Sequence, residues 1–272
     1  MKAADFDFIR NFIRTQTAIV IEPGKEYMVE SRLEALARKE KFSDIDSFIS
    51  HIRASPKPDL LKRVVDSMTT NETSFYRDIH PFEALRTTLL PELIRKRATE
   101  RQINFWCGAA STGQECYSVL MTIAETCPEI FRWRFTFMAT DLSREVLAKA
   151  QSGKYSQLEV NRGLPASMLA KYFTRDEDQW EIKPELRSHV LFREMNLIGD
   201  WPAMPMMDLI FMRNVLIYFD IETKRAILSK IRKVLRPDGY LFLGGAETTL
   251  NLDDNFERVV IQKTTCYKLK PT

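Results

Sequence analysis

Patterns for metal binding and for disulfide formation are missing from this sequence. It has only four cysteines and three histidines, with no C-x-x-C pair and no histidine at metal-ligand spacing from a cysteine. We therefore predict reduced thiols and no metal, and we expect each histidine to serve packing or the surface.

Long apolar runs and a strong charge imbalance are missing as well. No stretch approaches the apolar length of a membrane span, and the first residues, MKAADFDFIRNF, do not resemble a secretory signal. The 40 basic and 37 acidic residues leave a net charge of +3, which is too small to indicate a nucleic-acid binder. These absences favour a cytoplasmic protein with no membrane insertion and no nucleic-acid partner.

What is present is an ordinary globular composition arranged in two regions. Of the 272 residues, 44% are hydrophobic and 28% are charged, which is enough apolar material for a sizeable core. Residues 1–72 show helical periodicity without strands, as in the spacing of Phe6, Ile9 and Ile13. We predict a small all-helical N-terminal domain over 1–72 and a second domain over 73–272.

The second region alternates short β-type runs with helical stretches, which predicts a doubly wound α/β domain with a parallel sheet. Helices are predicted at 115–125, 144–151 and 222–235. The alternation breaks between 155 and 202, where a small β-rich insertion is predicted at about 172–193. The predicted main strands are Ile103–Cys107, Phe135–Ala139, Val190–Arg193, Asp208–Met212 and Tyr240–Gly244, with a closing antiparallel strand at Arg258–Leu269.

A loop of small residues follows the first predicted strand, in the run NFWCGAASTGQECY. Gly108 and Gly113 bracket it and allow a ligand to approach the backbone, while the next helix offers free N–H groups. The loop has neither the Lys-Ser/Thr pair of a phosphate-binding loop nor the glycine spacing of a dinucleotide site. S-adenosylmethionine, which has no phosphate, tolerates a carboxylate such as Glu115. A tight turn with no ligand is the alternative.

Two later strand ends add polar groups at the same edge of such a sheet. Asp141 ends the second predicted strand, where it binds ribose hydroxyls or caps the helix that starts near Ser143. Arg213 and Asn214 directly follow the fourth predicted strand. Tyr218, four residues further on, is either a site residue or a core aromatic.

By itself the run TTNETSFYR, residues 69–77, is a helix-capping signal followed by a solvated arginine. Together with FWCGAASTGQECYS, ATDLS and FMRNVLIYFD, in this order, it resembles the chemotaxis receptor methyltransferase (CheR) family over nearly the whole chain. The resemblance implies a Rossmann-like domain that binds S-adenosylmethionine and releases S-adenosylhomocysteine. It also implies methylation of glutamate side chains on methyl-accepting chemotaxis receptors.

The resemblance extends to individual site residues. Arg77 and Tyr218 match the positions that the family places beside the transferred methyl group, so we predict both as catalytic. Because both are intact, a non-catalytic adaptor that binds S-adenosylmethionine is the less favoured alternative. The implied cofactor-binding residues are Asn71, Thr73, Arg77, Glu115, Asp141, Asn196, Leu197, Arg213 and Asn214.

The implied partners are the cytoplasmic helical domains of chemoreceptors, which would recruit the enzyme to the membrane. Members that dock on a receptor's C-terminal pentapeptide have a glycine in a loop of the β insertion, whereas TRDEDQWEI, residues 174–182, has none. We therefore expect no tight pentapeptide tether. Basic residues around the second helix, including Lys25, Arg32 and Arg38, form either a docking face for acidic receptor helices or a solvated helix face.

Overall fold

The computed structural model describes residues 1–271, which divide into two compact units. The first comprises Met1–Thr70 together with Tyr218–Thr223. The second comprises Asn71–Ile217 and the chain from Lys224 onward. Within residues 1–271, no helix combines the length and the apolar character that crossing a bilayer requires.

The first unit is helical, as its periodicity predicts. Each helix buries one apolar stripe, exemplified by Ile9 and Ile13 in the first and Val29 and Leu33 in the second, all fully buried. Asp44 caps the third helix, because its carboxylate accepts the Ser47 N–H at 2.7 Å. The helices are α1 (Ala3–Thr17), α2 (Glu26–Lys39), α3 (Ile45–Ala54) and α4 (Pro58–Met68).

Arg32 on α2 has a structural role within this unit. Its guanidinium donates to the carbonyl oxygens of Met68 at 2.7 Å and Thr69 at 3.3 Å, and to the Thr70 hydroxyl at 3.1 Å. Carbonyls at the end of a helix have no partner within the helix, so this arginine satisfies the end of α4. Arg32 is therefore engaged within the helical unit, and the role of the other basic residues around α2 stays a prediction.

The second unit is built on a seven-stranded sheet in the order β6-β2-β1-β7-β8-β10-β9. The first five strands in that order are parallel, and β10 and β9 add an antiparallel edge. β1 and β7 lie in the middle and are buried almost throughout, which explains their continuous apolar runs. The strands are β1 (Gln102–Gly108), β2 (Arg134–Asp141), β6 (Val190–Glu194), β7 (Met207–Met212), β8 (Leu235–Leu243), β9 (Phe256–Ile261) and β10 (Thr264–Leu269).

Helices connect the parallel strands, so the predicted α/β class is confirmed. Before the sheet, a nearly continuous helical run contains α5 (His80–Ala84), a π-turn at Leu85–Leu89 and α6 (Leu90–Arg97). α7 (Gln114–Thr126) follows β1, α8 (Arg144–Ser152) follows β2, and α12 (Ile221–Val234) lies between β7 and β8. Short 3-10 helices occur at Pro128–Arg132 and Leu216–Tyr218.

Two strand predictions differ from the structure near the end of the chain. The closing segment is a hairpin of two strands, β9 and β10, because the chain reverses at Gln262, which has a positive φ of 53°. The run 236–239, predicted as a turn, lies inside β8, where the pairing with β7 shifts register between Met207 and Leu209. Both differences depend on local backbone conformation at turns, which hydrophobic periodicity does not predict.

The insertion contains a separate three-stranded sheet in the order β3-β5-β4, formed by β3 (Lys154–Ser156), β4 (Phe173–Asp176) and β5 (Gln179–Ile182). Short helices α9 (Gln157–Asn161), α10 (Ala166–Tyr172) and α11 (Pro184–Arg187) accompany it. The small sheet thus begins earlier than the predicted insertion at about 172–193. Val190–Glu194 does not belong to it, because that strand pairs with β2 in the main sheet. The boundary at 72/73 stays a prediction.

Candidate active site

The carboxyl ends of β6, β2, β1, β7 and β8 lie along one edge of the main sheet, because these strands are parallel. Loops at this edge carry most of the predicted site residues. The backbone has positive φ at Ala109 (54°), Ser111 (50°) and Gly113 (91°) after β1, and at Asn214 (58°) after β7. Such conformations are costly for residues other than glycine and tend to concentrate at functional sites.

Arg213 connects three segments at this edge. Its side chain is 1% exposed and forms an ion pair with Glu115 in the first turn of α7. It also donates to Asp78 at 2.8 Å and to the Arg77 carbonyl oxygen at 3.1 Å. The other oxygen of Glu115 accepts the Cys107 thiol at 3.3 Å. Arg213 and Glu115 are therefore close together, as predicted, and each orients the other.

Asp141 fixes the loop after β1. It is buried, and its carboxylate accepts the Ser111 N–H at 2.8 Å and the Ser143 N–H at 3.0 Å. Burial raises the pKa of Asp141, and the hydrogen bonds from Ser143 and Ser111 oppose that shift. The cap of α8 is Ser143, whose hydroxyl accepts the Val146 N–H. Asp141 therefore does not cap α8, and its role in ribose binding stays a prediction.

The glycines of the loop have packing roles. A Cβ at Gly108 would stand 2.3 Å from Met212 Cε, and one at Gly113 would stand 2.9 Å from Ala150 Cβ. Gly113 also has a φ of 91°, which L side chains rarely adopt. Sequence reasoning attributed both glycines to ligand access alone, whereas the backbone conformation and packing at Gly113 already require a glycine there.

The segment that precedes α5 contacts the loop after β1. The Asn71 carbonyl accepts the Ser111 hydroxyl at 2.8 Å, and Arg77 donates to the Glu72 carbonyl oxygen at 2.9 Å. Asn71 and Thr73 line a cleft of about 350 Å³. The cleft is completed by Glu72, Thr112, Gln114, Lys149, Leu158, Glu159 and Arg162.

Asn196 and Leu197 follow β6 and lie beside the end of β2, because the Met195 N–H donates to the Asp141 carbonyl at 2.9 Å. The Leu197 carbonyl accepts Lys230 Nζ at 3.2 Å, which anchors this loop to α12. The structure thus brings the main chain beside Asn196 and Leu197 to Asp141. Tyr218 belongs to the helical unit, where its carbonyl accepts the Val20 N–H at 2.9 Å, so its pairing with Arg77 stays a prediction.

Three residues that the sequence reasoning missed organise this edge. Asp78 pairs with Arg213, Ser118 accepts the Tyr76 N–H at 2.9 Å, and Tyr155 in β3 donates to the Thr112 carbonyl at 2.7 Å. Asp78 directly follows the NETSFYR run, so its position in the sequence could have identified it as a candidate site residue. Ser118 and Tyr155 gave no local signal, since their partners lie about 40 residues away in sequence.

Comparisons with known proteins place this arrangement in a family. Residues 4–69 match the model described as CheR methyltransferase, all-alpha domain, and residues 71–265 match CheR methyltransferase, SAM binding domain. The chain belongs to the CheR methyltransferase family. It is therefore a methyltransferase that uses S-adenosylmethionine, and the predicted helical domain followed by a Rossmann-like domain is confirmed.

Named relatives of the CheR chain cover almost all of it. Chemotaxis protein methyltransferase 1 of Pseudomonas aeruginosa is 39% identical over 98% of both chains. Chemotaxis protein methyltransferase Cher2 of Pseudomonas putida is 37% identical, again over 98% of both. The chemotaxis protein methyltransferase of Escherichia coli is 34% identical over 93% of this chain and 87% of its own.

The carboxyl edge fits S-adenosylmethionine on its own chemistry. Within the described residues, the Nε of Arg213 is buried and has no hydrogen-bond partner, so it can donate to a carboxylate such as that of the cofactor's amino-acid group. The carboxylates at this edge are Glu115, which is paired with Arg213, and the buried Asp141, and a cofactor without phosphate avoids charge repulsion from them. Which of the predicted residues hold the cofactor stays a prediction.

Proposed function

We propose that this chain transfers a methyl group from S-adenosylmethionine to glutamate side chains of methyl-accepting chemotaxis receptors, forming methyl esters. The observation that carries the proposal is the similarity, over almost the whole chain, to proteins named chemotaxis protein methyltransferases. All three are named as enzymes, which favours catalysis over the adaptor alternative.

The acid–base chemistry of the carboxyl edge suits a carboxylate acceptor. A glutamate side chain has a pKa of about 4.3, so it is already ionised at neutral pH and needs no general base. The candidate bases at this edge are engaged, since Glu115 pairs with Arg213 and Asp141 accepts two N–H groups. Contact with Cys116 and burial raise the pKa of the Cys107 thiol, so it stays protonated and unreactive.

The protein's task in this reaction is alignment and exclusion of water. Bound S-adenosylmethionine supplies a methyl group on a sulfonium and leaves as a neutral thioether, so no proton has to be removed. An acceptor oxygen must then approach in line and lose its hydration shell. We assign the donors that hold this carboxylate to Arg77 and Tyr218.

A second cleft at the same edge offers room for the acceptor segment. It has a volume of about 780 Å³ and is bordered by Asp78 and Arg213. Arg258 and Lys263 of the β9–β10 hairpin line it together with Asp253 and Asp254, so its wall carries both signs of charge and does not by itself select the acceptor. We further propose that the enzyme works in the cytoplasm at membrane receptors without a tight pentapeptide tether, since the β4–β5 turn has Glu177 and Asp178 where a glycine is expected.

The test is incubation of the purified enzyme with methyl-labelled S-adenosylmethionine and membranes that contain chemoreceptors, scoring label released as methanol by mild alkali. Carboxyl methyl esters are labile to alkali, so released label identifies the product. Arg77→Ala should lower turnover about 100-fold, by analogy with the loss of one charged transition-state donor. Tyr218→Phe should lower turnover only about tenfold, because a neutral hydrogen bond is weaker.

Arg134→Ala is the matched control, because this exposed arginine begins β2 at the opposite edge of the sheet. It should retain the parent turnover. Equal and negligible losses in Arg77→Ala and Tyr218→Phe would remove both residues from the mechanism. Absence of alkali-labile label, with cofactor binding intact, would refute glutamate as the acceptor.

A further inference from the structure

A buried carboxylate in the loop after β8 binds the loop after β7. Glu247 is 9% exposed, and its Oε2 accepts the N–H of Gly244 at 2.6 Å and that of Asn214 at 2.8 Å. Its Oε1 accepts the Ile217 N–H at 3.2 Å. A single side chain therefore satisfies three backbone donors, two of which belong to the loop that contains Arg213 and Asn214.

These hydrogen bonds fix a backbone conformation that the loop would not adopt by preference. Asn214 has a φ of 58°, in the left-handed region. The N–H groups of Asn214 and Ile217 both point at one carboxylate, which sets the shape of the turn between them. An ionised carboxylate only accepts hydrogen bonds, so it suits a site where every neighbour is a donor.

Gly244 shows how closely the two loops pack. A Cβ at this position would lie 2.6 Å from Asn214 Nδ2, 2.8 Å from Glu247 Oε2 and 2.9 Å from the Asn214 backbone nitrogen. Any side chain here would therefore displace Asn214. The neighbouring Gly245 is exposed, and a Cβ there would meet nothing within 4 Å.

We propose that Glu247 is a positioning residue for cofactor binding, which rests on the proposed function for the identity of the cofactor. It acts through the loop 213–217 and holds Arg213 and Asn214 where the cofactor needs them. Glu247→Gln keeps the size of the side chain but presents an amide N–H₂ to one of the three donors. The loop then loses part of its support while the strands on either side keep their pairing.

The experiment measures the dissociation constant of S-adenosylhomocysteine, the unreactive product, by calorimetry well below the melting temperature. Glu247→Gln and Gly244→Ala should each raise it about tenfold or more, the size expected when one charge-assisted hydrogen bond is lost. Gly245→Ala, the matched control, should stay within about twofold of the parent. Amide hydrogen exchange of residues 213–217 in the ligand-free protein should be faster in the first two variants than in the control.

A purely structural role for Glu247 would lower the melting temperature and leave the dissociation constant of the folded protein unchanged. Dissociation constants within about twofold of the parent in both Glu247→Gln and Gly244→Ala would therefore overturn the proposal. If Glu247→Gln does not fold, Gly244→Ala against Gly245→Ala decides the question. A parent protein that binds the product but does not methylate receptors would refute the proposed acceptor and leave this inference intact.

Discussion

Arg97 and Arg213 are both buried arginines that bind two carboxylates, but they lie at opposite edges of the main sheet. Arg97, at the amino edge, donates to Asp208 and to Asp238, each at 2.6 Å. Both of these carboxylates stand on strands. Arg213, at the carboxyl edge, instead binds Glu115 at a helix start and Asp78 in a loop, and its Nε has no partner in the described residues.

The groups around the two arginines differ as well, in how completely they are enclosed by regular structure. Asp208 is fully buried and also accepts the Asn104 N–H at 2.8 Å, so the amino edge is a closed network that ties β1, β7 and β8 together. At the carboxyl edge, Asp141 and Glu247 hold loop backbones in conformations with positive φ. Buried charge at the amino edge therefore ties strands together, whereas at the carboxyl edge it fixes the conformation of loops.

Removing Arg97 should produce the largest loss of stability. Arg97→Ala leaves the buried Asp208 with only Arg236, whose Nε lies 3.4 Å from its Oδ1, so the cost should approach the value of about 3–5 kcal/mol for breaking a buried ion pair. Urea denaturation measures the free energy of unfolding, and Arg95→Ala, an exposed change on the same helix, is the control. The affinity for S-adenosylhomocysteine of the folded protein should not change. A loss below about 1 kcal/mol would contradict the stabilising role of this network.

Neutralising Glu115 should have an intermediate effect, on affinity more than on stability. Glu115→Gln removes the charge that faces the buried Arg213, so we expect about tenfold weaker binding of S-adenosylhomocysteine. Calorimetry measures this, with Glu129→Gln, an exposed change in the 3-10 helix that follows α7, as the control. Unchanged affinity together with a large loss of stability would contradict this expectation, because Glu115 would then stabilise the fold as Arg97 does.

Asp238→Asn should have the smallest effect on stability, and the size of this effect should depend on pH. Burial acts to raise the pKa of Asp238, but the hydrogen bond from Arg97 outweighs it and leaves the pKa below its usual value of 3.8. A carboxyl group whose pKa is lower in the folded than in the unfolded protein stabilises the fold at pH values above its unfolded pKa. That contribution is lost as pH falls through its folded pKa.

The cost of Asp238→Asn should therefore be about 1 kcal/mol near neutral pH and smaller at about pH 3. Melting temperatures at the two pH values measure it, and Asp178→Asn in the exposed β4–β5 turn is the control. An equal cost at both pH values would show that the charge of Asp238 contributes nothing to the amino edge.

The main strands and the proximity of Glu115 to Arg213 were predictable because they depend on local patterns. β1 and β7 are continuous apolar runs, and polar groups follow each of them directly in sequence. Parallel strands bring such positions to one edge, so Glu115 and Arg213 could be expected to lie close together before any contact was known. The closing hairpin and the extent of the insertion were predicted less well, because both depend on turn conformations and on strand pairing.

The sequence by itself determined the fold class and the family, since hydrophobic period and motif order are local properties of the chain. Only the tertiary structure decided what each site residue contacts. The Arg213–Glu115 pair joins residues 98 positions apart, and Asp208 meets Asn104 across 104 positions. Strand order sets such pairings, and no local pattern records them. For the same reason, the hydrogen bonds of Glu247 and the packing role of Gly113 became visible only in the folded chain.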